Sequence, residues 1–275
     1  MFFKLVKHEL KSVSKWYLTL YLMCLFLAIS LGAFLREHYS VANSSYGMSY
    51  HLGLTFRENF SSGFSGILLL LVLMSFAIVV SAIAISTLSL IIKRFKDNIY
   101  GKQGYLTMTL PVSVHQLLVS KLLVSLVWVG LSLLALIVSV AVMGMVITTE
   151  NLAAIFHGLA EIFQTWLSDP LFHLFQFMTT TVQIASYITL IFLSIAIGHS
   201  FENHRIITSF LAFFGLMVLV TVLHEVLLPA YTDYYAYDKQ GRLIYDLLNT
   251  AFDFILMISS YFGSHYLIKN KLNLE

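Results

Sequence analysis

The sequence predicts an all-α membrane protein of six transmembrane helices with both termini in the cytoplasm, forming one domain over 1–275. Three observations predict it. The 275 residues are 59% hydrophobic and only 11% charged, against about 25% charged in a typical soluble domain, so most of the surface must face lipid. Six stretches are apolar for about the 20 residues a helix needs to cross the hydrocarbon core: 16–35, 65–92, 122–147, 177–198, 206–228 and 247–268. The Lys and Arg residues are unevenly shared between the connecting segments. With the N-terminus inside, segments 1–15, 93–121, 199–205 and 269–275 hold twelve, and the outer segments hold four: Arg36, Arg57, Lys239 and Arg242. Positive charge collects on the cytoplasmic side, which fixes the orientation.

Residues 2–15 have a helical period. Phe3, Val6, Leu10 and Val13 share one face, and Lys4, His8, Lys11 and Lys15 the other. This is the pattern of an amphipathic elbow helix lying along the inner leaflet. The apolar stretch that follows is too long for a signal-peptide core and is expected to stay as a span. It holds the single cysteine, Cys24, which has no partner for an internal disulfide and reads as a small lipid- or helix-facing residue. The outer segment 36–64 is rich in Ser, Tyr and Gly. Span two carries the pairs Ala77/Ser81 and Ala82/Ser86, whose four-residue spacing suits close helix packing.

Between spans two and three lies KRFKDNIYGKQGYLTMTLPVSVHQLLVSK, residues 93–121, with five of the sixteen Lys and Arg residues. Gly101 and Gly104 permit backbone turns. Pro111 suits the first turn of a helix. The segment is expected to form a helix–turn–helix excursion at the membrane surface. Residues 148–176 have no Lys or Arg. Within them Leu152, Ile155, Phe156, Leu159, Ile162, Phe163 and Trp166 form an apolar stripe that Asp169-Pro170 ends, as expected for an outer interfacial helix. The run YTDYYAYD at 231–238 reads as an interfacial aromatic belt, ahead of a ligand site.

Several chemistries lack their residues. A phosphate-cradling loop needs G-x-x-x-x-G-K-[ST], and Gly101-Lys102 is followed by Gln103. His224-Glu225 begins an H-E-x-x-H zinc motif, but position 228 is leucine. A net charge of +2 gives no reason to expect nucleic acid. Polar residues inside spans are scarce and costly. Gln183, His224, Glu225 and Asp253 are therefore candidates either for a cargo path or for interhelical hydrogen bonding, and their clustering toward one side favours the second.

Asp97, Gly101, Gly104-Tyr105-Leu106-Thr107, Leu110-Pro111-Val112-Ser113 and Leu117-Leu118…Ser120-Lys121-Leu122 together resemble the ABC-2 type permeases, the membrane subunits of ATP-binding-cassette exporters, especially those of Gram-positive bacteria. Phe3-Lys4…Glu9-Leu10-Lys11 and the basic end from Tyr266 to Leu272 look similar too. The resemblance implies a cytoplasmic coupling helix between spans two and three, docked on a separate ATPase, with Asp97, Gly101, Gly104, Tyr105, Leu106, Thr107, Leu110 and Pro111 in or beside the contact. It implies two copies of that ATPase, which hold ATP and Mg, and a second permease subunit, either a copy of this chain or a different one. This chain would bind no cofactor and break no bonds. It would sit in the bacterial cytoplasmic membrane and form the path for a hydrophobic or amphipathic cargo such as a peptide, bacteriocin or drug. The alternatives are a non-transporting immunity or sensor subunit of such a complex, and an ion-driven secondary transporter.

Overall fold

The structure, a computed structural model, describes residues 2–43, 52–56, 63–101, 113–147, 160–161, 163–201, 204–228 and 239–270. Among them are six long helices: α1 (Phe2–His38), α2 (Gly63–Ile99), α3 (Val114–Ile147), α4 (Pro170–His199), α5 (Arg205–Leu227) and α6 (Lys239–Asn270). Each contains a stretch long and apolar enough to cross a membrane: Tyr17–Arg36, Leu70–Ile99, Val114–Ile147, Pro170–His199, Arg205–Leu227 and Leu243–Asn270. The chain is thus a multi-pass membrane protein by length and composition.

Several helices run beyond the expected spans. Residues 2–15 are helical as their period requires, but they continue without a break into the first span. They form the opening part of the 37-residue α1. Pro170 opens α4, seven residues before the expected start, because proline has its φ preset for a first turn and no N–H to leave unpaired there. The expected interfacial helix at 151–167 lies mostly outside the described residues, and the tyrosine-rich 231–238 lies wholly outside them. In segment 36–64, Tyr39–Asn43 (β1) pairs antiparallel with Leu52–Phe56 (β2), with Tyr39 opposite Phe56 and Asn43 opposite Leu52. This short hairpin was not expected from the segment's Ser, Tyr and Gly content.

The chain divides into two compact units. One comprises 11–87 and 128–170. Cys24 is fully buried there with Val79 and Ile83, under Leu20, Tyr21, Leu27, Phe76 and Leu136, so the cysteine faces helices rather than lipid. Tyr17 stacks on Trp128 with ring centroids 4.5 Å apart. Tyr21 Oη and Ser132 Oγ share a hydrogen bond of 2.9 Å, and Ser132 in turn lies 3.2 Å from Thr87 Oγ1. The close helix approach in this unit is at Gly32, where an added Cβ would come within 2.9 Å of the Met143 carbonyl oxygen. Of the two pairs expected to suit close packing, Ala82/Ser86 is half-buried and Ala77/Ser81 is exposed, with Ser81 Oγ donating to the Ala77 carbonyl of its own helix.

The other unit comprises 1–10, 88–127 and 171–275. Its centre is α4, on which twelve residues from Ala185 to His199 are buried. Half of those are Ala, Gly, Ser or Thr, small enough for neighbouring helices to approach closely. Their hydroxyls cost little in an apolar setting because each donates back along the helix: Ser186 to Gln183, Thr189 to Ser186 and Ser194 to Ile191. α5 has no buried residue; its Leu, Val and Phe side chains are the ones a lipid environment would cover.

Candidate functional site

Two places in the α4-centred unit combine polar chemistry with a built environment. The first is the end of α2, where the sequence placed a cationic loop. The helix runs to Ile99, because its last turns are held on one side by aromatic packing. Phe95 is fully buried and stacks face to face on Phe192, with centroids 4.1 Å apart and ring planes 7° apart. Tyr100 stacks on His199 at 4.3 Å, and His199 Nδ1 lies 3.0 Å from the Ile195 carbonyl oxygen. Burial pushes the Tyr100 phenol above its ordinary pKa, so it stays neutral throughout the physiological range.

α2 stops where Tyr100 N and Gly101 N both donate to the Lys96 carbonyl, at 2.8 and 3.1 Å. Gly101 is required at this turn, since a Cβ there would lie 2.8 Å from the Asp97 carbonyl oxygen. Asp97 and Gly101, both expected to belong to a partner contact, are therefore joined as the two sides of a helix cap. Gly104, Tyr105, Leu106, Thr107, Leu110 and Pro111 lie outside the described residues. α3 begins at Val114. Ser113 precedes it and caps it, its Oγ accepting from Gln116 N at 3.3 Å.

The charges of the 93–121 segment need the same correction. Lys93, Arg94 and Lys96 are on α2, and Lys121 is two turns inside α3 and buried. Hydropathy dropped at these residues, but the helices did not end. Long cationic side chains can follow an apolar helix surface and carry their charge to its edge, so a charge run at a span's end is a poor helix terminator.

The second place is the polar cluster between α4, α5 and α6. Asp253 Oδ1 accepts from Ser186 Oγ at 3.4 Å. His224 Nε2 is hydrogen-bonded to Asn249 Oδ1 at 2.8 Å and is within electrostatic reach of Asp253. Of the four span residues singled out in sequence, Asp253 and His224 belong to this cluster. The side chains of Gln183 and Glu225 are exposed. Ser186 and Asn249 carried no signal of their own in the sequence, because serines and asparagines at helical positions are common and their partners are far away along the chain. The cluster links three helices by hydrogen bonds, which is the interhelical role expected for such groups in a membrane. Among the described residues no three His, Cys, Asp or Glu side chains converge as metal ligands would.

Compared with protein-family models, curated proteins and solved structures, the chain has no match.

Proposed function

We propose that this chain is the membrane-embedded permease subunit of an ATP-binding-cassette exporter of the ABC-2 type, with both termini in the cytoplasm and the 93–121 connection facing a separate ATPase. The observation that carries the proposal is the sequence of that connection: Gly104-Tyr105-Leu106-Thr107 and Leu110-Pro111, placed between two spans on the side where twelve of sixteen cations collect. Two ATPase copies would bind ATP and Mg, and this chain, with a second permease subunit, would supply the path for a hydrophobic or amphipathic cargo.

The packing at the end of α2 fits such a role. A push delivered to the connection enters α2 at the Asp97–Gly101 cap and meets the Phe95–Phe192 stack immediately behind it. Close-packed interiors have little compressibility, so the displacement passes to α4 rather than being absorbed.

Gentle purification from native membranes tests the partnership: an ATPase should co-elute at one to one. Gly104→Trp and Tyr105→Ala should each cut cargo-stimulated ATP turnover by at least about tenfold, while insertion into the membrane is unchanged. Normal turnover in both variants removes the connection from the mechanism.

The Ser186–Asp253 and His224–Asn249 contacts favour one second reading, an ion-driven transporter, because ionisable groups inside spans mark ion pathways. In that case Asp253→Asn abolishes cargo flux and ATP depletion does not; the exporter predicts the reverse.

A further inference from the structure

The α4-centred unit contains a cavity of about 270 Å³ at the end where α2 and α4 finish and α5 starts. Its wall is apolar: Leu88 and Ile92 from α2, Ile195 from α4, and Ile206 and Phe210 from α5. The cation Lys96 lines it as well. Leu88 and Lys96 are eight residues apart on one helix, so the cavity runs about 12 Å along α2 at 1.5 Å per residue. It opens sideways: Ile206 and Phe210 are 63% and 61% exposed, on the helix that has no buried residue. An occupant can therefore enter from the lipid.

Leu88 marks the end of the cavity farther inside the span, Lys96 is one turn from the end of α2, and Ser194, Ser209 and His199 also contribute to the lining. Among the described residues no carboxylate pairs with the Lys96 ammonium. Lys93, one turn earlier on the same helix, is exposed and adds a second positive charge. An apolar slot parallel to the helix axes with a cation at its surface end complements an amphiphile with an anionic head and an acyl tail. A peptide or neutral solute would leave either the slot's length or its charge unmatched.

We infer that this cavity is a binding site for one anionic phospholipid of the cytoplasmic leaflet, with an acyl chain between α2, α4 and α5 and the phosphate on Lys96. The site needs only the orientation with both termini inside and is independent of an ATPase partner. A buried acyl chain gains from apolar contact along the slot. The phosphate gains a charge-assisted contact with the Lys96 ammonium.

The test uses the full chain in detergent micelles, supplied with phosphatidylglycerol or phosphatidylcholine of identical acyl chains, and counts bound lipid by native mass spectrometry. The expected result is a dominant one-to-one adduct with about a tenfold preference for phosphatidylglycerol, a difference that one charge-assisted contact can supply. Lys96→Gln should bring the preference close to unity, and Lys96→Arg should keep it. Ile92→Trp, which fills the slot from a partly exposed position, should remove the one-to-one adduct for both lipids. If helical circular dichroism shows that this variant is unfolded, Leu88→Trp makes the same test from the deep end.

Equal retention of the two lipids by the unaltered chain would overturn the inference. So would an unchanged preference in Lys96→Gln, or an unchanged adduct in the filled variant. A fatty acid or peptide that displaces phosphatidylglycerol from the slot would overturn the choice of occupant. Failure to find an ATPase partner leaves all of these readouts intact, so the two proposals stand or fall separately.

Discussion

Gly198 offers the sharpest test of how α4 and α5 are held together. It is the last residue but one of α4, and α5 returns directly against it. The Thr208 hydroxyl lies 3.1 Å from the Gly198 carbonyl and shares its proton with the His204 and Arg205 carbonyls of its own helix, at 3.1 and 3.0 Å. A Cβ at 198 would lie 2.6 Å from Ser209 Cα and would collide with the Ser209 hydroxyl. The hydroxyl can rotate away, but the backbone cannot. Restoring an ordinary contact of about 3.5 Å requires the first turn of α5 to move by about 1 Å, and the Thr208 bond stretches with it. Overpacking of this kind costs about 1–3 kcal/mol, while the Thr208 hydroxyl keeps its His204 and Arg205 acceptors. Alanine recovers up to about 1 kcal/mol in helix propensity, so Gly198→Ala should destabilise by up to about 3 kcal/mol net.

Gly215 provides the control. It is also in α5, but an added Cβ there meets nothing within 4 Å, so Gly215→Ala should be neutral or stabilising by up to about 1 kcal/mol. Equilibrium unfolding in mixed micelles, titrated with a denaturing detergent and followed by helical circular dichroism, measures both variants. The propensity gain is common to both variants, so at about 1.4 kcal/mol per tenfold the two unfolding constants should differ by at least about fivefold. Equal stability of the two variants would mean that α5 does not return against Gly198, and the packing argument for this end of the unit would fail with it.

Four further outcomes follow from individual contacts. Tyr100 is buried, and its hydroxyl has no hydrogen-bond partner among the described residues. Tyr100→Phe should therefore keep the His199 stack and raise stability by up to about 1–3 kcal/mol. Because burial raises the Tyr100 pKa, the unfolded chain releases this proton first, near its ordinary value of about 10. Stability should be constant below that pH and fall as pH rises above it, and Tyr100→Phe should shallow the alkaline limb of a melting-temperature profile. His204 is the one non-glycine residue with positive φ among the described residues, at φ 56° and ψ 38° just before α5; His204→Val should cost about 1–2 kcal/mol and His204→Gly should cost nothing, by the same unfolding titration. Ser113→Ala removes the α3 cap and should cost about 1 kcal/mol.

Hydropathy made the helices legible but not their ends. An apolar run reports the thickness of hydrocarbon, whereas a helix continues as long as its backbone bonds are met. α2 therefore carries Lys93, Arg94 and Lys96 past the apolar run and stops only at the Gly101 cap. Asp253 was legible as a site residue because a carboxylate in a span is rare. Its partner Ser186 is 67 positions away, and the His224–Asn249 contact joins residues 25 apart. No local pattern announces either. The glycines teach the same lesson: Gly32, Gly198, Gly130 and Gly215 all interrupt apolar sequence alike, yet helices press against the first two and nothing approaches the others. Distinguishing them requires knowing which helices meet.

The two polar places in the α4-centred unit differ in stiffness, and the difference bears on how a transporter of this build would work. Around the end of α2, Phe95, Ile99, Tyr100, Leu118, Phe192 and His199 are all at most about 2% exposed and packed ring on ring. Local opening there would expose a large aromatic area at once, and regions with dense buried contacts open last. The Asp253 cluster rests on hydrogen bonds of 3.4 and 2.8 Å that join the buried Ser186 and the half-buried His224, Asn249 and Asp253, and interhelical bonds in membranes contribute only about 0.6–2 kcal/mol each. A force arriving at the α2 end would therefore be carried through the aromatic core with little loss, and the contacts that yield would be those joining α4 and α5 to α6 at the polar cluster. Under the exporter reading, Asp253→Leu should change how readily the path opens rather than how tightly the partner ATPase binds.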